Sequence, residues 1–191
     1  STTKIIAKGG DTKNTAGVWA EKLEKDVGLT ILGDVDIKSD GFGVLAKGGA
    51  VANIGTEYAK EIKILSESGR ALRAEYGAVL NVGNVDTESV DISTKDNYAI
   101  MAVRADTVVD IKGKNSDVST SGDSFVAAYA GLAGTLNIGT EDTENINLSA
   151  TDYSAVLVLE DESKMDITGK NIVISNNANT WGAVHVANNT E

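Results

Sequence analysis

The sequence predicts an all-β fold: a right-handed, three-stranded parallel β-helix of about six to seven coils, each 26–29 residues long. Three observations carry this prediction. Short apolar anchors recur at that period: GVWA (17–20), GVLA (43–46), ALRA (71–74), IMAV (100–103), AAYA (127–130), VLVL (156–159) and AVHV (183–186). Such a period, built on strand-like pieces, marks a solenoid. Two more anchors follow in every coil, each alternating apolar and polar residues, the mark of a strand with one buried face. Finally, no segment keeps a helical apolar period for three turns, and branched residues suited to strands dominate the predicted inward positions.

The first strand of each coil is expected to point Val18, Val44, Leu72, Met101, Ala128, Leu157 and Val184 inward. Its outward neighbours are then a small-residue row, Gly17, Gly43, Ala71, Ile100, Ala127, Val156 and Ala183. A second outward row is Trp19, Leu45, Arg73, Ala102, Tyr129, Val158 and His185. The second strand buries Leu29/Ile31, Ala52/Ile54, Leu80/Val82, Val109/Ile111, Leu136/Ile138 and Met165/Ile167, each pair closely followed by glycine. Its outward row is polar: Thr30, Asn53, Asn81, Asp110, Asn137 and Asp166. The third strand buries Val35/Ile37, Ile62/Ile64, Val90/Ile92, Val118/Thr120, Ile146/Leu148 and Ile172/Ile174, with Thr120 as the one polar intrusion. Ile5 and Ile6 read as a third strand ahead of the first complete coil. Glu21, Lys22, Glu24, Lys25 and Asp26 make Val18–Val27 a poor helix and predict an exposed loop, which could cover the near end of the outward face from Glu21 to Gly28. The preference of parallel crossovers for one hand selects the right-handed coil. Stacked at strand spacing, the coils make a rod roughly 30 Å long.

Residues 1–191 form a single solenoid with no composition break. There is no proline, as suits long ladders that use every backbone donor. There is no cysteine, which excludes disulfides, thiol nucleophiles and cysteine-based metal sites. A net charge of −11 argues against nucleic acid and anionic membrane surfaces as partners. No apolar run is long enough to insert in a membrane. Neither end carries a polar capping segment of the kind a solenoid needs, which predicts a piece of a longer repeat protein.

Two columns are candidates for function. At the corner before the first strand lies a column of five aromatics and one arginine: Phe42, Arg70, Tyr98, Phe125, Tyr153 and Trp181. A guanidinium stacks well among rings, so the column serves either as a ladder that pins coil register or as a platform for sugar rings. The outward row Trp19, Leu45, Arg73, Ala102, Tyr129, Val158 and His185 makes the first strand apolar on both faces. Such a face is either overlaid by a loop or binds a partner.

Metal and catalytic sites find little support. The acidic turns carrying Glu57, Asp86, Glu88, Asp117, Glu141, Asp142 and Glu144 lack a recognisable calcium loop, so no metal or other cofactor is expected. The single histidine, His185, reads as an exposed strand residue. The one constellation resembling a glycosidase pair is Asp110 and Asp166, two coils and roughly 9.6 Å apart with Asn137 between them. An Asn/Asp ladder on a wet sheet explains the same residues.

The phrases VANIGT (51–56), LNIGT (136–140) and INLSA (146–150) recur at coil spacing among Gly, Asn, Thr, Asp and Ala. In this the whole chain resembles the passenger region of a bacterial type V autotransporter. The resemblance implies a surface-exposed right-handed β-helix, anchored to the outer membrane by a C-terminal region outside this sequence or released outside the cell. It also implies an adhesin role: self-association, biofilm formation, or attachment to a host or bacterial surface protein or glycan. The protease and lipase signatures of some members, Gly-Asp-Ser-Gly with a partner His and Gly-x-Ser-x-Gly, are absent. No catalytic residue is therefore expected, and the alternative is a β-helix that processes or binds polysaccharide.

Overall fold

The computed structural model describes residues 1–9, 15–22, 28–178 and 181–188. The described residues contain strands and no helix. They form three parallel sheets of seven, six and seven strands, which repeat in turn along the chain. The first sheet runs from Ala16–Glu21 through Phe42–Lys47, Leu72–Glu75, Ile100–Val103, Ala128–Gly131 and Val156–Leu159 to Val184–Ala187. The second runs from Gly28–Ile31 to Lys164–Thr168, and the third from Thr2–Ala7 to Asn171–Asn176. Each strand pairs with its equivalents one coil before and one coil after, as the coil period requires. This is the three-stranded parallel β-helix. Thr2–Ala7 lies in the third sheet, where Ile5 and Ile6 place it.

The second strand follows its sequence pattern at every coil. Ile54, Leu80, Val82, Val109, Ile111, Leu136 and Ile138 are fully buried, with their polar neighbours outside. After four of the six second strands the chain turns through a left-handed glycine, and φ is +75°, +62°, +71° and +82° at Gly33, Gly55, Gly83 and Gly139. A side chain at Gly83 would also strike the Lys112 carbonyl, so glycine answers both backbone angle and space.

The third strand departs from expectation at one coil. Ser116 and Val118 pair with Val90 and Ile92, so Ser116 is the polar intrusion, 3% exposed and with its Oγ unpartnered. Thr120 instead joins Ser39, Ser66 and Thr94, all buried at the corner where the third strand ends. These hydroxyls satisfy the corner backbone: Thr94 Oγ1 donates to the Gly69 carbonyl at 2.8 Å and Thr120 Oγ1 to the Asn97 carbonyl at 2.7 Å. A corner breaks sheet pairing, and a short hydroxyl side chain supplies the missing partner.

The first strand needs the larger correction. Its ladder runs Val44, Leu72, Ile100, Ala128, Val156, Val184, one position every 28 residues. Ile100 and Val156 therefore face the core, and Met101 and Leu157 belong to the outward column. Ala102 and Val158 point inward instead, in a column with Ala20, Ala46, Ala74 and Ala130, and Ala102 is 0% exposed. IMAV and VLVL are apolar at every position, so alternation does not choose between two registers one residue apart, and such a slip exchanges the two faces.

The small-residue row is not outward either. The residues in register are Gly17, Gly43, Ala71, Ala99, Ala127, Ala155 and Ala183, and the four from Ala71 to Ala155 are 0% exposed. They sit in the angle between the first and third sheets. A Cβ at Gly43 would lie 2.6 Å from Ile64 Cγ2 and 2.5 Å from the Ala71 carbonyl, so bulk is excluded there. At the outermost coil the inward columns lie open: Val186 is 69% exposed. The Ala16–Glu21 strand extends further into the expected loop than the sequence suggests, and residues 23–27 of that loop lie outside the described residues.

Candidate functional site

The outer faces of the three sheets differ in chemistry. On the second sheet the outward amides form a ladder. Asn53 donates to Thr30 at 3.3 Å, Asn81 to Asn53 at 2.8 Å, and Asn137 to Asp110 at 2.6 Å. Asp110, Asn137 and Asp166 are in register, as the sequence predicts, and Asp110 is engaged by the amide between the two acids. The third sheet carries a similar ladder, with Asn145 donating to Asn115 at 2.7 Å and Asn147 to Asp117 at 3.3 Å. Burial, and then its coil neighbour Asp117, raise the Asp91 carboxyl above the usual carboxylate range.

Acidic turn residues are bridged to lysines of adjacent coils. Glu88 meets Lys114 at 3.2 Å and Lys60 at 3.5 Å, and Glu144 meets Lys170 at 2.6 Å. Asp117 lies within a third-sheet strand and not in a turn. Among the described residues no three acidic or imidazole groups gather as metal ligands would.

The outer face of the first sheet is different. Its column is Trp19, Leu45, Arg73, Met101, Tyr129, Leu157 and His185, one per coil in register. Five of these seven are the residues expected from sequence; Met101 and Leu157 replace Ala102 and Val158. Trp19 is 42% exposed, whereas Leu45 and Leu157 are covered to 4% and 5% exposure by the side chains around them.

The corner column borders this face, and the structure divides it into two runs. In the first, the Arg70 guanidinium lies 5.9 Å from the Phe42 ring centre and 5.7 Å from that of Tyr98. Arg73 approaches Phe42 as well, at 5.7 Å. Tyr98 then meets Phe125 edge-on at 5.4 Å and Tyr129 at 5.5 Å. In the second run, Tyr153 and Trp181 are 4.7 Å apart, and Trp181 stacks on His185 at 5.5 Å. The column is not in strict register. The Gly43 and Ala99 amides bond to the Arg70 and Val126 carbonyls, so the Phe42–Arg70–Tyr98 position passes next to Val126 and then Ser154, both 0% exposed. Phe125, Tyr153 and Trp181 stand one residue earlier.

Electrostatics single out Arg70. Arg73 is paired with Glu75 at 2.6 Å, and Lys47 with Glu21 at 3.0 Å. Trp19 is held by both members of the latter pair: its Nε1 donates to Glu21 at 3.1 Å and the Lys47 ammonium lies 5.0 Å from its ring. Arg70 packs between rings, and among the described residues no carboxylate lies within ion-pair distance of it, Glu75 acting on it from further off. Burial, and then the neighbouring Arg73, push its pKa below the usual arginine value. The Nε atoms of both arginines are buried without an acceptor. Tyr129 is shaped by its own strand: a Cβ on Gly131 would collide with its hydroxyl, so the ring lies over that glycine. Burial, followed by Glu160 and Tyr98, raises the Tyr129 hydroxyl above the usual phenol range. His185 packs against Trp181, and its Nδ1 is buried with no partner.

The arginine pair was legible in sequence as two separate rows; that they converge on Phe42 depends on the corner geometry. Among the described residues no helix is long and apolar enough to cross a membrane. No protein-family model, curated protein or solved structure matches this chain.

Proposed function

We propose that this chain is a segment of a bacterial cell-surface adhesin of the autotransporter type, which binds through the outer face of the first sheet and performs no chemistry. The observation that supports the reading is the contrast among faces. The second and third sheets each spend outward amides on the neighbouring coil of the same sheet, while the first presents Trp19, Arg73, Met101, Tyr129 and His185 at least partly exposed. Contacts repeated along a rod give avidity from weak units. The partner is a second copy of the chain or a protein or glycan on a host or bacterial surface.

Self-association is the direct test. Net charge of −11 on each copy opposes pairing, so association should strengthen as moderate salt screens it. Sedimentation of the wild type should show weak, salt-promoted self-association. Trp19→Glu and Met101→Glu should reduce it with circular dichroism unchanged, because both side chains lie on the outward column. A strict monomer at high concentration in about 150 mM salt, where screening already reaches within about 8 Å, together with unaltered cell aggregation by both variants, defeats the self-association reading. The in-register Asp110–Asn137–Asp166 column keeps one rival in view. Turnover of pectin or alginate that is abolished by Asp110→Ala or Asp166→Ala would establish a polysaccharide-processing enzyme instead.

A further inference from the structure

We propose that Arg70 and Arg73, seated on the buried Phe42 ring and flanked by the part-exposed rings of Tyr98 and Tyr129, form a binding site for an acidic sugar, a uronate residue within a polysaccharide chain. The proposal rests on reading the first-sheet face as the contact face, and it names the ligand chemistry that face fits.

The argument begins with charge. The chain holds 28 acidic and 17 basic side chains, yet among the described residues Arg70 forms no ion pair, feels Glu75 only at longer range, and is held between two rings. Arg73 stands beside it and brings one carboxylate, Glu75, for the two cations. Among the described residues the two guanidinium groups thus share one nearby carboxylate on the face of an acidic protein. A guanidinium supplies parallel N–H donors matched to a carboxylate, and the inner Nε of each arginine is already buried. An incoming carboxylate would therefore be met by the terminal nitrogens.

The surroundings then choose among anions. Tyr98 touches both Phe125 and Tyr129, so the cation sits at the edge of a continuous ring surface. A bare phosphate or sulfate would use the charge and leave the rings idle. An acidic peptide brings carboxylates on flexible stems without a flat apolar side. A uronate carries a carboxylate, a C–H face that lies on aromatic rings, and hydroxyls for the rim. Met101 lies within the site, between Arg73 and Tyr129, and Trp19 continues the face along the rod, while Leu45 and Leu157 are covered by their neighbours. Among the described residues the row runs on past the arginines in both directions, which suits the interior of a polymer.

The test uses the 191-residue chain and four probes: tetragalacturonate, cellotetraose, tetraglutamate and sodium sulfate. Calorimetry should detect tetragalacturonate binding that weakens as NaCl rises from about 20 mM to about 300 mM. Arg70→Gln should lower that affinity about tenfold or more, as loss of a charge-assisted pair does. Asn81→Ala, on the opposite chemistry of the second sheet, should leave it unchanged. Should Arg70→Gln fail to fold, NMR of the wild type decides: tetragalacturonate should shift the Arg73, Tyr98 and Tyr129 signals. No tetragalacturonate binding, or shifts confined to the Asn81–Asp110 face, overturns the proposal. Equal binding of tetraglutamate or sulfate overturns it in favour of a general anion site, and equal binding of cellotetraose in favour of an aromatic platform alone. Uronate binding by a strictly monomeric chain upholds this site and removes self-association; self-association without uronate binding does the reverse.

Discussion

The outer faces of the first and second sheets are built on the same coils, at the same spacing, over one shared core, and they solve repetition differently. On the second, an amide column closes on itself: each Asn of the ladder gives its N–H to the coil before it. On the first, rings and guanidinium groups pack against one another, and the buried Nε atoms of Arg70 and Arg73 and Nδ1 of His185 find no partner. Hydrogen-bond donors satisfied within a ladder have little left for a partner. A face held by stacking keeps its charges and rings available, because stacking does not consume them.

The largest effects come from the core both faces share. Ile138→Asp, beneath the second sheet, should unfold the chain, since an unpaired buried carboxylate costs several kcal/mol. Loss of the β circular dichroism signal would show it. A folded Ile138→Asp variant would mean that the faces do not depend on a common core.

Next in size is the corner on which the first face is mounted. Gly43→Ala should destabilise by about 2 kcal/mol through overpacking, because the added methyl meets the backbone of Ala71 and the Ile64 side chain. Denaturant midpoints measure this. Gly131→Ala should cost far less, because the atom in the way is the end of the Tyr129 side chain. It should instead move that ring, changing the Tyr129 signals in NMR.

Asn81→Ala sharpens the comparison directly. It removes the donor to Asn53 Oδ1 from a partly exposed ladder and should cost about 1 kcal/mol. Arg70→Met on the first face should cost about 0.5–1 kcal/mol, the value of its ring contacts, despite the greater burial of its surroundings. If Arg70→Met proved clearly stabilising, the guanidinium would be held there against stability, which strengthens its assignment to binding.

The smallest effect is in pH. Asp34 accepts the amides of Lys60 and Glu61 at 2.6 and 3.0 Å, and these bonds hold its carboxyl below the usual value of 3.8. A depressed folded pKa means the unfolded chain binds more protons. That stability is present above about pH 4 and lost as pH falls through the folded pKa. Asp152 is opposite in sign. Its hydrogen bond to Asp123 raises its pKa, so the folded chain holds the proton more tightly and stability falls as pH rises through that range. Asp34→Asn should therefore flatten the acid limb of the stability profile, and Asp152→Asn should raise stability slightly at neutral pH.

The sequence by itself determined the solenoid, its period and the inward columns of the second strand. There Leu80-Asn81-Val82 or Leu136-Asn137-Ile138 has one apolar face and one polar face, and only one register buries the right side chains. The amide ladder followed for the same reason. What only the tertiary structure decided lies where that asymmetry is missing. In Ile100–Val103 and Val156–Leu159 both faces are apolar, so two registers satisfy the pattern equally; pairing with Leu72 and Ala128 selects the one that buries Ala102 and exposes the Met101 side. At the corners the alternation itself ends. Whether Gly43 and Ala71 point out or into the angle between sheets, and whether Ser116 or Thr120 interrupts the core, depends on the neighbouring coil, which sequence spacing along one strand does not contain. The convergence of Arg70 and Arg73 on Phe42 has the same origin: it is a contact across coils and around a corner, created by stacking.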